Sequence, residues 1–157
     1  MKNMQQELYD KYPMLFRQKD LSAQETCMCW GVACGDGWFK IIDEACEKLT
    51  ALAKEEGVTI EFAQVKEKFG GLRLYMEIIQ GDKKDKEVVI DITSPSGEVN
   101  TLMKCPKETI WQKAHEITRK AEELSYQTCD MCGEPGKPRE GGWIVTRCDK
   151  HIKSRCE

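Results

Sequence analysis

Apolar residues recur along this chain with two periods, and the switch between them outlines the fold. Trp38, Ile41, Ile42, Ala45, Cys46, Leu49 and Leu52 return at steps of three and four, the pattern of a helix with one buried face. Asp36 stands before this run as a candidate N-cap. Gly57 stands after it, where a left-handed residue closes a helix. Beyond Gly57 the period falls to two. Val58, Ile60 and Phe62 alternate with Thr59 and Glu61, and Leu72, Leu74, Met76 and Ile78 alternate with Arg73, Tyr75 and Glu77. Two strands are predicted, joined by a turn at Phe69-Gly70-Gly71.

The charged run from Gly81 to Glu87 reads as a solvated loop. Val88, Ile90 and Ile92 then predict a third strand over 87–93, and Pro95-Ser96-Gly97 turns the chain before a short fourth strand over 99–103. Pro106 suits the first turn of a second helix, traced by Ile110, Trp111, Ala114, Ile117, Ala121 and Leu124 to an end near Tyr126. At the N-terminus, Leu8, Tyr12 and Leu15 lie near one face of a helical stretch from Met4 to Phe16, which Pro13 must kink or divide. The predicted class is α+β: a three- to four-stranded antiparallel sheet packed with two main helices over residues 1–126, with 1–24 as a helical arm, followed by a small module over 127–157.

That last module has its own chemistry. Cys129-Asp-Met-Cys132 and Cys148-Asp-Lys-His151 are two ligand knuckles separated by a loop of ribbon length. Three thiolates and an imidazole complete the tetrahedral set that zinc prefers, so Cys129, Cys132, Cys148 and His151 are expected to hold one zinc ion. Gly133 follows Cys132, where the backbone must reverse. With every position filled by protein, the ion is structural, and its binding supplies folding free energy to a segment too short to bury a core. Pro135, Gly136 and Pro138 favour a turn, Trp143 to Thr146 reads as a strand, and Trp143 is expected either to cover the metal or to dock the ribbon.

Composition narrows the class without naming a function. The chain has 157 residues and is 40% hydrophobic and 32% charged, an ordinary soluble balance. No apolar run approaches a membrane span, and no leader-like h-region is seen. Three of the nine cysteines belong to the zinc motif, and the remaining six, without a regular framework, then point to a reducing cytoplasm. The formal net charge is −3, and binding a dication through three thiolates makes it one unit more negative. Lys and Arg outnumber Asp and Glu by only one across 127–157, which argues against a nucleic-acid reader with a basic face.

Three readings stay open for Cys27, Cys29 and Cys34: buried packing, a second metal site completed by Cys46 or Cys105, or a reactive centre. No nucleophile elbow or phosphate-binding loop is present. His115 beside Glu116 lacks the second histidine of a zinc-protease motif and is the one imidazole left after zinc. Catalysis is therefore unsupported. The stretch from Gln64 to Tyr75 is more suggestive. Lys66, Lys68 and Arg73 can gather at a turn whose Gly70 and Gly71 expose backbone N–H groups, an anion nest, while Tyr75 or Trp38 stacks on a base. The plainer alternative is a basic edge that protects the sheet from edge pairing.

Cys34-Gly-Asp-Gly-Trp38, Gln64-Val-Lys-Glu-Lys-Phe-Gly-Gly-Leu-Arg73, Leu124 to Gly133, Gly141-Gly-Trp143 and Cys148-Asp-Lys-His151 occur in this order. The chain thereby resembles a family of small bacteriophage and prophage proteins, from about residue 34 onward, with a longer stretch over 79–105. The resemblance carries no established activity. It implies an accessory role, such as blunting a host defence by sequestering a nucleotide signal or by binding a host protein. The expected function is thus a non-enzymatic binder of an anionic nucleotide. The alternatives are a protein-interaction adaptor that uses the ribbon and, less favoured, a nucleic-acid-binding zinc protein. An oligomer is compatible with each.

Overall fold

The computed structural model describes residues 3–79 and 109–152. Its first helix, α1 (Met4–Lys11), is capped by Asn3, whose side chain accepts from the Gln6 N–H, and it ends at Tyr12. Pro13 follows, and the chain turns before a 3-10 segment, Arg17–Asp20. This N-terminal stretch packs on the body. Leu8, Tyr12, Leu15 and Phe16 enter the same core as the later helices, and the Phe62 N–H donates to Leu15 O at 2.7 Å. Gln18 donates to both Glu61 and Glu77, at 3.0 and 3.1 Å, and Arg17 pairs with Glu61. Glu61 is buried, so these donors offset the cost of taking its charge out of water.

The main helix, α2 (Phe39–Glu56), buries Ile41, Ile42, Ala45, Cys46, Leu49 and Leu52, and Gly57 closes it at φ 66°. Asp36 does not cap it. A 3-10 turn, Asp36–Trp38, comes first, and Trp38 occupies the cap position without a side-chain hydrogen bond. The hairpin β2 (Thr59–Lys68) and β3 (Gly71–Ile79) pairs from Thr59 opposite Ile79 to Lys68 opposite Gly71, with a bulge between Phe62 and Gln64. Phe69 and Gly70 form the two-residue loop at φ 54° and 78°, the double positive φ of a turn that matches strand twist.

The sheet is mixed, which corrects the expectation of a wholly antiparallel one. A two-residue strand, β1 (Val32–Ala33), lies parallel to β2, with Val32 opposite Val65, and the order is β1-β2-β3. Parallel neighbours need a long crossover, and α2 supplies it. The expected strands over 87–93 and 99–103, and Pro106, lie outside the described residues. The third helix, α3 (Ile110–Ser125), begins with a reciprocal capping box between Thr109 and Gln112. It buries Ala114 and Ala121 and packs on α2 and β3. The C-terminal segment adds a two-stranded ribbon, β4 (Lys137–Arg139) with β5 (Val145–Arg147). No helix among the described residues is long and apolar enough to cross a membrane.

Candidate functional site

The two knuckles converge. In the first, Gly133 N–H donates to Cys129 O at 3.0 Å and Cys129 N–H to Glu134 O at 2.7 Å. Gly133 sits at φ 77°, a conformation costly for any residue with a Cβ. In the second, a 3-10 turn, Asp149–His151, returns His151 N–H to Cys148 O at 3.1 Å. The ligand atoms of Cys129, Cys132, Cys148 and His151 all lie within 4.8 Å of one another. Cys132 Sγ is 3.8 Å from Cys148 Sγ, and His151 Nδ1 is 3.5 and 3.3 Å from Cys129 and Cys148 Sγ. Tetrahedral bonds of about 2.3 Å to sulfur and about 2.0 Å to nitrogen imply edges of about 3.8 and about 3.5 Å. These four side chains therefore fit one metal ion.

The electrostatics favour a cation. Burial pushes the Cys129 thiol up, but backbone hydrogen bonds from Cys148, Cys132 and Met131 and the His151 imidazole outweigh it, and its pKa falls to about 6. Cys132 is held down by the Glu134 backbone but pushed up more strongly by burial and by its two cysteine neighbours, for a net rise. Neighbouring thiols that resist joint ionisation are relieved by a dication. Beneath the knuckles, buried Arg147 donates to Asp130 Oδ1 at 3.1 Å and to His151 O at 3.5 Å. Arg139 donates to Arg147 O at 3.0 Å and Asp149 Oδ1 at 2.7 Å.

The ribbon is seated on the body by glycines. Gly37 N–H donates to Asp130 O at 2.8 Å, and Trp38 Nε1–H donates to Thr128 O at 2.8 Å. A Cβ at Gly35 or Gly37 would overlap the Asp130 or Cys129 carbonyl. On the other side, Thr146 Oγ donates to Gly70 O at 2.6 Å, and Ser125 Oγ accepts from Leu72 N–H at 2.8 Å. A Cβ at Gly71 would lie 2.5 Å from the Tyr126 ring. Gly70 and Gly71 thus serve close packing against the ribbon and the end of α3.

This seating separates the residues expected to bind an anion. Trp38 is fully buried, with its indole N–H committed to Thr128. Arg73 pairs with Glu122 and donates to Tyr126 Oη at 3.2 Å. Lys66 stands opposite Arg73 in the strand register, and its Nζ is 5.6 Å from the Tyr75 ring centre. Lys68 Nζ is 5.4 Å from the Phe69 ring centre. Lys66 and Tyr75 are therefore together, Arg73 stands across from Lys66 but is engaged by Glu122, Lys68 lies beside Phe69, and Trp38 is buried elsewhere. The roles of Gly35, Gly37, Tyr126, Thr146 and the Asp130–Arg147 pair were not legible in the sequence. The close Gly-Asp-Gly spacing before α2 was the one available hint.

The other cysteines assemble no second centre among the described residues, where the C-terminal quartet is the only group of metal-ligating side chains. Cys29 Sγ donates to Thr26 O. Burial first, then Asp36, Asp130 and Glu67, push the Cys34 thiol up to about 12, and burial raises Cys46 as well. Neither is a nucleophile at neutral pH. Cys105 lies outside the described residues. His115 is exposed and stacks on Trp111 at 6.0 Å.

Phe69 is a bulky side chain at positive φ, 65% exposed. Such strain costs about 1–3 kcal/mol, whereas Asn enters this region readily. Phe69→Asn is expected to raise stability by about 1 kcal/mol in urea unfolding. An unchanged or lowered midpoint would mean that the ring contributes packing that outweighs its backbone cost. No protein-family model, curated protein or solved structure matches this chain.

Proposed function

We propose that the chain is a metal-organised, non-catalytic binding protein whose ribbon–hairpin junction contacts another protein. Zinc is the ion assigned to Cys129, Cys132, Cys148 and His151, because three thiolates and an imidazole in a tetrahedron suit it and leave no open position for reaction. The observation that carries the reading is Trp143. It is 73% exposed on a segment whose next residues are held, Thr146 Oγ by Gly70 O of the body and Thr146 O by Asp130 N–H within the ribbon. Ile144 and Phe69 are exposed on either side of Gly70. Exposed large apolar groups on a rigid base mark contact surfaces, and Trp is the commonest anchor of binding energy at them. The resemblance to small phage accessory proteins agrees with a partner supplied by the host.

Trp143→Ala is the direct test. Its side chain has little to lose in the free protein, so zinc content and melting temperature should stay unchanged. Capture of a partner from host extract, quantified against the parent chain, should fall by at least tenfold, as for an anchor worth about 2 kcal/mol or more. Equal capture by both chains would remove the reading.

A second reading keeps the nucleotide. Lys66 over the partly exposed Tyr75 ring, with Lys68 near the hairpin tip and no carboxylate paired with either lysine among the described residues, supports an anion held by the hairpin. Lys66→Ala is the variant that tests it, because Arg73→Ala would also release Glu122 and Tyr126. Calorimetric titration of cyclic and ADP-ribose-type nucleotides should give heat with the parent chain and none with Lys66→Ala. Silence from the parent chain across the panel would end this reading.

A further inference from the structure

We infer that the cleft beside Trp143 receives a cationic side chain, lysine or arginine, from the partner's contacting segment; this rests on the protein-contact reading above and specifies its chemistry. The cleft has a volume of about 690 Å³ and lies between the Ala33–Asp36 stretch and the ribbon, with Asp36, Glu67, Asp130, Met131, Trp143 and Arg147 in its walls. Among the described residues Arg147 is the one cation in its lining, and it is paired with Asp130. Asp36 and Glu67 have no ion-pair partner among the described residues, so the described lining carries an excess of negative charge. Glu67 is also held in place, since its Oε1 accepts from Gly70 N–H at 2.7 Å. Cys34 also lines the cleft, and its thiol is pushed up by burial first and then by Asp36, Asp130 and Glu67.

The occupant follows from comparing what each class of group would cost. An apolar side chain entering beside Trp143 would strip water from Asp36 and Glu67 and leave both charges unpaired, a penalty that burial of a few methylenes does not offset. An anion would add repulsion to that penalty. A lysine or arginine meets two carboxylates with its head and the indole face with its charge. Its aliphatic stem covers Met131, an adaptable apolar surface. The cleft is thus built unlike the Lys66–Tyr75 hairpin face, which presents cations.

The test uses the full zinc-loaded chain and three acetylated, amidated hexapeptides, with Arg and Lys, with Glu, or with Leu alternating with Ala. Binding is read by NMR from the Trp143 indole N–H and the Gly35 and Gly37 amides. The basic peptide is expected to shift these signals saturably, with an affinity that weakens as salt is raised. The double variant Asp36→Asn with Glu67→Gln should lose at least tenfold in affinity while keeping its zinc and its dispersed spectrum. Glu67→Gln retains an acceptor for Gly70 N–H, so loss of binding would report charge and not a broken hairpin. If the Leu peptide bound as well as the basic one, or the double variant bound the basic peptide normally, the cation would be overturned while Trp143 as a protein contact survived. If no peptide moved the Trp143 signal, the cleft would be overturned as the docking point. The protein-contact reading would then stand or fall on the Trp143→Ala capture experiment.

Discussion

Removing the metal with a strong chelator is expected to unfold residues 127–152 and to loosen the body beneath them. The ribbon has two three-residue strands, and its Cys132, Glu134, Lys137 and Trp143 are exposed, so the ligand set is its main source of order. Metal ligation contributes on the order of 10 kcal/mol to small zinc modules. The effect should propagate through Gly37 N–H to Asp130 O and Trp38 Nε1–H to Thr128 O, because Asp130 lies between two ligands and Thr128 just before one. Hydrogen exchange should therefore accelerate across 127–152 and at Gly37 and the Trp38 indole, and zinc should restore both. Cys148→Ser should reproduce the chelated state, while Cys27→Ser, an exposed thiol outside the quartet, should retain one zinc per chain. Protection unchanged by chelation would refute a structural role for the metal.

The same site sets a pH dependence. The folded, metal-free Cys129 thiol has its pKa lowered from the ordinary 9.0 to about 6. In the folded ribbon that shift contributes stability that is fully present above the ordinary thiol value and is lost as pH falls through about 6, whereas in the unfolded, metal-free ribbon the thiol keeps its ordinary value and is protonated at neutral pH. Cys132, shifted in the opposite direction, is protonated at neutral pH and must lose its proton to solvent as it ligates the metal. Zinc uptake at pH 7 should thus release protons, and affinity should weaken progressively as pH is lowered from neutral, as competition titrations with a chromophoric chelator would show. A pH-independent affinity would contradict thiolate ligation.

The second large effect is expected from Gly37→Ala. The added Cβ would overlap Cys129 O and come within 2.7 Å of Asp130 C and Gly133 N. All three are backbone atoms held by the knuckle, so no side chain can swing aside. Overpacking costs about 1–3 kcal/mol, the overlap with backbone atoms puts this case at the upper end, and relief requires the ribbon to lift from the body. Gly142→Ala is the matched control, because nothing lies within 4 Å of its Cβ position, and its effect should stay within about 0.5 kcal/mol. Urea unfolding of the zinc-loaded forms measures both. Gly37→Ala should also weaken zinc binding, since the docked knuckle is the conformation that presents Cys129 and Cys132. Two variants of equal stability would mean that the ribbon is not seated on the Gly35–Trp38 turn.

What the chain declares in its own sequence is local. The ligand quartet is legible because two-residue spacing brings each pair of side chains to one ion whatever the rest of the fold does. The buried face of α2, its end at Gly57 and the β2–β3 hairpin are legible because burial on one side imposes a period on neighbouring residues. Only the tertiary structure decided the rest. β1 is too short to show a period, and its parallel partner lies beyond α2, so the mixed character of the sheet left no local trace. Gly70, Gly71 and Arg73 look like an anion nest until Thr146, Tyr126 and Glu122 arrive against them. Trp38 reads equally well as a stacking platform or a core residue until its indole N–H meets a carbonyl 90 positions away. Glycine, arginine and tryptophan each suit several environments, and only contacts made across the fold choose among them, whereas a ligand pair two residues apart carries its environment with it.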